Sequence, residues 1–292
     1  MSAQNKAVAK RFNDASRARG LMCSRRSAWT IRRIATGNRA IGIATAVATS
    51  IAMMMMTGVA GAEVTFPWDH YLCYPATDTH MQVPPPVTLI DQFDERERTP
   101  ENVKPGTADR LCNPVFEKNG KKTLVDPVIH LKRYPFKAQS KTHVVQVLNQ
   151  FEEAVLTTTA ANELMVPTTK SRQPPSPAPP TGREPSFEHY KCYTLSGKPR
   201  FHPRSVLVVD QFGRHTLKVT KRLWLCNPTT KIVGPVVSQI QQPERHLVCY
   251  LVKARKERPP PTVFTNNQFF PEELVLAPAK ELCLPSLKRF IR

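Results

Sequence analysis

One short pattern recurs four times along this chain and constrains its fold more than any other feature. It reads His70-Tyr-Leu-Cys-Tyr, His130-Leu-Lys-Arg-Tyr, His189-Tyr-Lys-Cys-Tyr and His246-Leu-Val-Cys-Tyr. At near-constant spacing, each is followed by an Asp-Gln-Phe or Asn-Gln-Phe triplet, a Leu-x-x-Pro segment and a lysine (Lys118, Lys170, Lys231, Lys288). We call these segments, from each His to each Lys, copies 1 to 4. Several anchored positions that recur at such regular spacing identify an internal repeat.

The copies alternate in detail, which indicates that the duplicated unit is a pair. Copies 1 and 3 carry Asp-Gln-Phe and Leu-Cys-Asn-Pro, whereas copies 2 and 4 carry Asn-Gln-Phe and end in Val-Pro or Leu-Pro. Between the pairs, residues 171–185 contain six prolines, a composition typical of a semi-rigid, extended linker. We therefore predict two similar domains, residues 63–170 and 186–292, joined by the linker 171–185.

The cysteines follow the same repeat. Six of the seven lie in the copies, two each in copies 1, 3 and 4, and copy 2 has Arg133 and Met165 at both places. Because copy 2 lacks both cysteines together, we predict pairing inside each copy: Cys73 with Cys112, Cys192 with Cys226, and Cys249 with Cys283. Each bridge closes a long loop and contributes about 4 kcal/mol in a chain-entropy account. Metal binding by His and Cys is the alternative, but copy 2 keeps His130 without either cysteine.

The segments between these anchors favour strands. Residues 206–212 and 143–151 are rich in β-branched residues, and Gly213 leads into an alternating segment over 215–220, as in a hairpin. Short strands with Pro-rich connections predict an all-β protein. We expect two homologous, disulfide-braced domains, each a β-sandwich or small barrel made from two copies related by a pseudo-twofold axis. A single copy would be too small to be stable alone.

The N-terminal segment has the features of a secretory signal. Residues 1–40 contain ten Lys and Arg and a single acid, and an apolar run over 41–59 ends in Ala60-Gly-Ala62. A basic region, an apolar region and a small-residue cleavage site predict a signal peptide over residues 1–62, cut near Ala62. The mature protein is then secreted or periplasmic. An uncleaved membrane anchor is the alternative, since the apolar run is just long enough to span a bilayer.

The recurring segments also resemble those of an uncharacterised family of exported bacterial domains, which is recognised by His-Tyr-x-Cys-Tyr, Asp-Gln-Phe and Leu-Cys-Asn-Pro in tandem. The resemblance covers about residues 69–170 and 188–288, except that copy 2 lacks both cysteines. The resemblance implies export and a repeated organisation. It gives no information about activity.

Polar residues that recur in all four copies are better explained by a structural role than by catalysis. A catalytic site normally occurs once and combines different residues, so its members would not recur in every copy. We expect each His to bond backbone, each Asp or Asn of the triplet to bond turn backbone, and each terminal Lys to end a solvated strand. The chain has 28 Pro and only 11 Gly, and it contains no nucleophile elbow, zinc-protease or phosphate-loop motif. We therefore predict no enzyme activity, no catalytic residue, no metal and no cofactor.

The two predicted domains differ in net charge. Residues 63–170 carry 12 Lys and Arg against 14 Asp and Glu, whereas residues 171–292 carry 20 against 8. Clusters in the second half include Lys198 and Arg200, and the candidate anion-binding residues are Arg214, Lys218, Lys221, Arg222, Lys253, Arg255, Lys256 and Arg258. In the first half, the charged insertion of copy 1, from Asp94 to Gly106, is expected to be a solvated loop.

These observations predict a non-enzymatic, exported binding module. Its expected partners are an anionic polysaccharide, a lipid headgroup or another polyanion, because a strongly basic face attracts such ligands. A structural or spacer protein of the cell envelope without a ligand is one alternative. An extracytoplasmic hydrolase is another, and it would require a cleft with converging acids or Ser and His.

Overall fold

The computed structural model describes residues 66–254 and 259–291, and most of this chain is extended. The predicted all-β class is confirmed. Within the described residues, the elements in chain order are β1 (Tyr71–Asp78), β2 (Val87–Asp91), α1 (Gln92–Glu97), β3 (Glu101–Val103), β4 (Arg110–Pro114), β5 (Glu117–Lys118), β6 (Lys121–Lys122), β7 (His130–Pro135), β8 (Ser140–Leu148), β9 (Glu153–Ser171), β10 (Tyr190–Ser196), β11 (Arg204–Asp210), β12 (Gly213–Val233), β13 (Val236–Ser238), β14 (His246–Ala254), β15 (Val263–Asn267), β16 (Pro271–Leu276) and β17 (Glu281–Phe290).

Each copy begins and ends with strands that pair with each other. In copy 1, β1 and β4 are antiparallel with Cys73 opposite Cys112. The same pairing joins β7 to β9, β10 to β12, and β14 to β17. Since the two cysteine positions of a copy face each other in register, the predicted bridges require no rearrangement of the backbone.

The eight strands of the four copies close into one ring. Neighbouring copies pair through β4 with β7, β9 with β10, and β12 with β14. The last strand, β17, then pairs with the first, β1, with Leu282 opposite Leu72. Closing a sheet removes its exposed edges, so the first and last copies protect each other.

The hairpins of opposite copies are interlocked across this ring. In copy 1, β2 pairs with the end of β12 of copy 3, and β11 of copy 3 pairs with β5 of copy 1. Copies 2 and 4 exchange strands in the same way, β8 with β17 and β15 with β9. The prediction of two separate domains is therefore not confirmed, because every copy makes sheet contacts with the other half of the chain.

The disulfide prediction is confirmed in all three copies. Cys73–Cys112, Cys192–Cys226 and Cys249–Cys283 are bonded, with Cα atoms 3.9 Å apart in each pair. All six cysteines are fully buried in one cluster, and the Sγ atoms of Cys73 and Cys283 lie 3.8 Å apart although they belong to different bridges. Since successive side chains of a strand point to opposite faces, the bridges occupy the inner face of the ring.

The opposite face of the ring packs against the hairpins in a larger apolar cluster. This cluster draws residues from all four copies, including Leu72, Leu164, Leu225 and Leu284. One core therefore serves both halves of the chain, which is the second reason that the halves do not form separate domains.

The insertion of copy 1 is more ordered than expected. Asp91 caps α1 by accepting from the backbone N–H of Phe93 and Asp94, and the Asp94 carboxylate accepts from the backbone N–H of Asp91. Asp94 is fully buried and binds the Nζ of Lys191 at 2.9 Å. The expectation of a wholly solvated loop was wrong here, because Lys191 of copy 3 is buried and requires a carboxylate partner.

Beyond Ser171, the end of β9, the segment predicted as an extended linker (171–185) is irregular and lies against the ring. The Thr169 hydroxyl donates to the carbonyl of Ala178 at 2.6 Å, and the Asn266 amide donates to the carbonyl of Pro177 at 3.0 Å. The predicted signal peptide over residues 1–62 lies outside the described residues. In the part of the chain that the structure describes, no helix has the length and apolar character needed to cross a membrane. The three disulfides indicate an oxidising, extracytoplasmic environment.

Candidate anion-binding groove

The basic residues predicted on β12 and β14 lie side by side on the sheet. Lys218 of β12 stands directly opposite Lys253 of β14 in the antiparallel register, and both are exposed. Arg214 is also exposed, near the start of β12. Directly paired residues of neighbouring strands project from the same face, so these cations contribute to one positive surface. Arg255, Lys256 and Arg258 lie outside the described residues.

The end of this surface opens into a groove of about 560 Å³. Its walls come from the loop between β10 and β11, from β12 at the point where its register shifts, and from the end of β14. The lining residues are Leu195, Ser196, Gly197, Lys198, Arg200, Phe201, Thr220, Lys221, Arg222, Leu251 and Lys253. Among the described residues, the lining contains five bases and no acid.

Four of these bases are available to a ligand. Lys198 and Arg200 are exposed on the loop wall, and Lys221 and Lys253 are exposed on the strand wall. Within the described residues, none of the four forms an ion pair. Cations that face a shared groove without counter-charges attract anions, because the low-dielectric walls focus their field.

Arg222 has a different role from the one predicted. Its Nε donates to Oε1 of Glu152 at 2.7 Å, a second guanidinium nitrogen contacts the other carboxylate oxygen, and Nη1 donates to the carbonyl of Pro199 at 2.8 Å. A bidentate pair of this kind is fixed in orientation. Arg222 therefore ties the loop wall to the hairpin of copy 2 and is not one of the free cations.

The same loop is anchored by an aromatic contact beneath the groove. Phe201 is 5% exposed and packs against Tyr250 with ring centroids 4.9 Å apart. The Arg204 guanidinium lies 5.4 Å from the centroid of the Phe201 ring. Together with Leu195 and Leu251, Phe201 gives the groove an apolar floor.

The second half of the chain has a higher ratio of bases to acids among its exposed residues than in its composition. In residues 171–254 and 259–291, ten bases are exposed and Glu244 is the single exposed acid. In residues 66–170, six exposed bases are balanced by four exposed acids. The second half keeps acids such as Asp210, Glu188 and Glu281 buried, so they do not neutralise the basic face.

No family model, curated protein or solved structure matches the chain.

The recurring histidines support the ring rather than forming a site. The imidazole Nε2 atoms of His70, His130 and His189 each lie 3.2 Å from the amide oxygen of the triplet glutamine in the next copy. His130 also contacts the carbonyl of Val128 at 3.0 Å, as expected for a backbone partner. Burial lowers the pKa of His130 to about 3, so the imidazole is neutral and acts as a fixed hydrogen-bonding group.

The triplet Asp and Asn residues cap turns, as predicted. Each side-chain oxygen accepts from the backbone N–H of the Phe two residues later, with distances of 2.8 to 2.9 Å for Asp91, Asn149, Asp210 and Asn267. No group of three or more side chains suited to a metal ion occurs among the described residues.

Three of the recurring lysines, Lys118, Lys231 and Lys288, are buried and Lys170 is half-buried, so the expectation of solvated strand ends was wrong. Each ammonium lies over the triplet phenylalanine of the following copy, and copy 4 contacts copy 1. The pairs are Lys118 with Phe151 at 5.2 Å, Lys170 with Phe212 at 4.3 Å, Lys231 with Phe269 at 4.5 Å, and Lys288 with Phe93 at 4.3 Å. Burial lowers the pKa of Lys170 to about 7. These cation–π contacts join successive copies.

A second polar cluster is enclosed at the end of the ring away from the groove. Buried Asp69 accepts from the Ser186 hydroxyl, and the guanidinium of buried Arg245 donates to the same hydroxyl at 2.8 Å. The hydroxyls of Tyr71 and Tyr190 are buried nearby and have no hydrogen-bond partner among the described residues. This cluster is closed to large ligands, because its members are nearly fully buried.

Proposed function

We propose that this protein is a non-enzymatic, extracytoplasmic binding module that holds anionic polymers on the basic face of copies 3 and 4. The observation that carries the proposal is the groove with four exposed cations in its lining, for which the described residues provide neither an ion-pair partner nor an acid in the lining. The exposed charge of the second half extends the same field, with Lys218 directly opposite Lys253 and Arg214 four residues away along β12. Polymers with repeated negative charge gain most from such a field, because each neutralised charge releases counterions.

The arrangement gives no support to hydrolysis. Among the described residues, the groove lining has two hydroxyl groups, on Ser196 and Thr220, and no carboxylate or histidine that could act as a base for them. General acid–base catalysis requires a titratable group within hydrogen-bonding reach of the reacting atom. A spacer function without a ligand is the competing proposal, and the following experiment separates the two.

The test compares two charge-matched triple variants of the full-length mature protein. One replaces Lys198, Lys221 and Lys253 in the groove by Gln, and the control replaces the exposed Lys104, Lys122 and Lys137 of the first half by Gln. Affinity for heparin, used as a model polyanion, is measured over a range of salt concentrations. The groove variant should lose affinity. Its plot of log affinity against log salt concentration should be shallower by about one unit for each lysine that contacts heparin, while the control should match the wild type. Equal losses in both variants, or no binding by the wild type, would favour the spacer.

A further inference from the structure

We infer that the groove binds the sugar units of an acidic polysaccharide, with ring faces on its apolar floor and carboxylate or sulfate groups on its cationic walls. This inference rests on the proposed function and specifies its ligand. The groove has two chemically distinct parts. Its floor contains Leu195, Phe201 and Leu251, and its walls contain the four exposed bases.

The two parts match the two faces of an acidic sugar. A pyranose ring presents C–H groups on its faces, and these bury apolar area when they lie against Leu251, the half-buried side chain of the floor. Its acidic substituents project from the ring edge, where the ammonium of Lys221 or Lys253 and the guanidinium of Arg200 can reach them. Arg pairs with carboxylate or sulfate oxygens through two parallel N–H groups. The volume of about 560 Å³ lies within the usual range for ligand sites, about 300 to 1,000 Å³.

Other polyanions use only one of these parts. A polyphosphate chain has no apolar face, so the floor would contribute nothing to its binding. Single-stranded nucleic acid depends on aromatic rings exposed for base stacking, and the one aromatic residue of the groove lining, Phe201, is 5% exposed. A membrane surface contacts protruding residues, whereas Leu195 and Phe201 are recessed below the walls. The apolar floor is therefore the feature that selects a sugar.

Arg222 positions the loop wall for this ligand. Its contacts with Glu152 and with the Pro199 carbonyl hold the loop that carries Lys198 and Arg200. Glu152 also accepts from the hydroxyl of Tyr250 at 2.9 Å, which places the pair next to the aromatic anchor of Phe201. This ion pair joins copy 2 to copy 3. At the equivalent place in copy 1, Asp94 pairs with Lys191 instead, and Gly213 and Phe270 stand there in copies 3 and 4.

The experiment uses calorimetric titration of the mature protein with three probes of matched net charge: oligogalacturonate, linear oligophosphate and a single-stranded oligonucleotide. The wild type should bind oligogalacturonate most tightly. Leu251→Ser should weaken oligogalacturonate about tenfold through lost apolar contact and leave the oligophosphate affinity unchanged. Leu207→Ser is the control, because Leu207 is half-buried on β11 outside the groove. Thermal unfolding of both variants checks that they are folded.

The outcomes separate this inference from the proposed function. If oligophosphate or the oligonucleotide binds as tightly as oligogalacturonate, or if Leu251→Ser leaves the oligogalacturonate affinity unchanged, the sugar assignment is overturned while polyanion binding stands. If the groove lysine triple binds all three probes as well as the wild type does, the proposed function itself is contradicted. A selective loss of oligogalacturonate binding in Leu251→Ser, absent in Leu207→Ser, supports the inference.

Discussion

Arg133 faces Met165 across strands β7 and β9, in the place where the other three copies carry a disulfide. The Arg133 guanidinium contacts Glu281 at 2.9 Å, Asp109 at 3.0 Å and Glu163 at 3.3 Å. It also lies 5.6 Å from the ring centroid of Trp224. The ring thus replaces one covalent bridge by a buried ionic cluster that joins three of the four copies.

Removing this cation should destabilise the fold strongly. In Arg133→Met, the acids Glu163 and Glu281 stay buried without their shared partner, and loss of one partner of a buried pair costs about 3–5 kcal/mol. Urea unfolding at pH 8 measures the loss. Arg110→Met is the matched control, since Arg110 is more exposed and its pair with Glu281 should contribute about 1 kcal/mol or less. Equal losses in the two variants would contradict the account of the cluster.

The interlocked copies predict that the halves depend on each other. A chain cut once within residues 174–180 should remain a 1:1 complex under native conditions, because the hairpins of copies 1 and 2 pair with strands of copies 3 and 4. Size-exclusion chromatography of the cut protein, before and after denaturation and refolding, measures this. Two folded fragments that elute separately would contradict the closed ring and restore the two-domain prediction.

Two buried tyrosines of strand β1, Tyr71 and Tyr74, should respond differently to loss of the hydroxyl. Tyr71 has no hydrogen-bond partner for its hydroxyl among the described residues, whereas the Tyr74 hydroxyl donates to Asp210 at 2.8 Å. Tyr71→Phe should leave the free energy of unfolding unchanged or raise it slightly. Tyr74→Phe should lower it by about 1–3 kcal/mol, because Asp210 loses a buried donor. A larger loss for Tyr71→Phe than for Tyr74→Phe would show that a bound water satisfies Tyr71.

Glu188 should make the protein less stable as the pH rises through the weakly acidic range. Burial raises the pKa of Glu188 from 4.5 to about 7, so the folded state holds a proton that the unfolded chain releases near pH 4.5. Stability should therefore be lost between about pH 4.5 and 7 and stay constant above that range. Glu188→Gln should remove the Glu188 contribution, raising stability relative to the wild type by up to about 3 kcal/mol at pH 8. Glu163, whose pKa is also raised to about 7, keeps its own contribution in both proteins. Glu244→Gln, at an exposed site, should leave the pH profile unchanged, and identical profiles for both variants would refute the assignment.

The repeat correctly predicted the disulfides and the capped turns, because the residues that form them belong to one and the same copy. Paired loss of cysteines at Arg133 and Met165 was sufficient to pair the remaining six, and the register of β1 with β4 explains why. The triplet Asx residues cap turns through contacts only two residues away, for example Asn149 with the N–H of Phe151.

The long-range arrangement could not be predicted in the same way. Nothing near β17 specifies that its partner is β1, since any strand edge with a matching apolar face would satisfy the same pattern. The buried state of Lys170 depends on Phe212 of the next copy, and that of Lys191 depends on Asp94 of an opposite copy. Charge identified the basic face, but the role of Arg222 depends on Glu152, which is distant in the chain.

The location of bound polymer tests the central claim most directly. Amide hydrogen exchange, followed by mass spectrometry on the mature protein with and without saturating oligogalacturonate, would map it. We predict slower exchange in residues 196–201, 220–222 and 251–253, which line the groove, and unchanged exchange around Lys104, Lys122 and Lys137. Protection confined to the first half, or no protection at saturating oligogalacturonate, would contradict a binding site on the basic face.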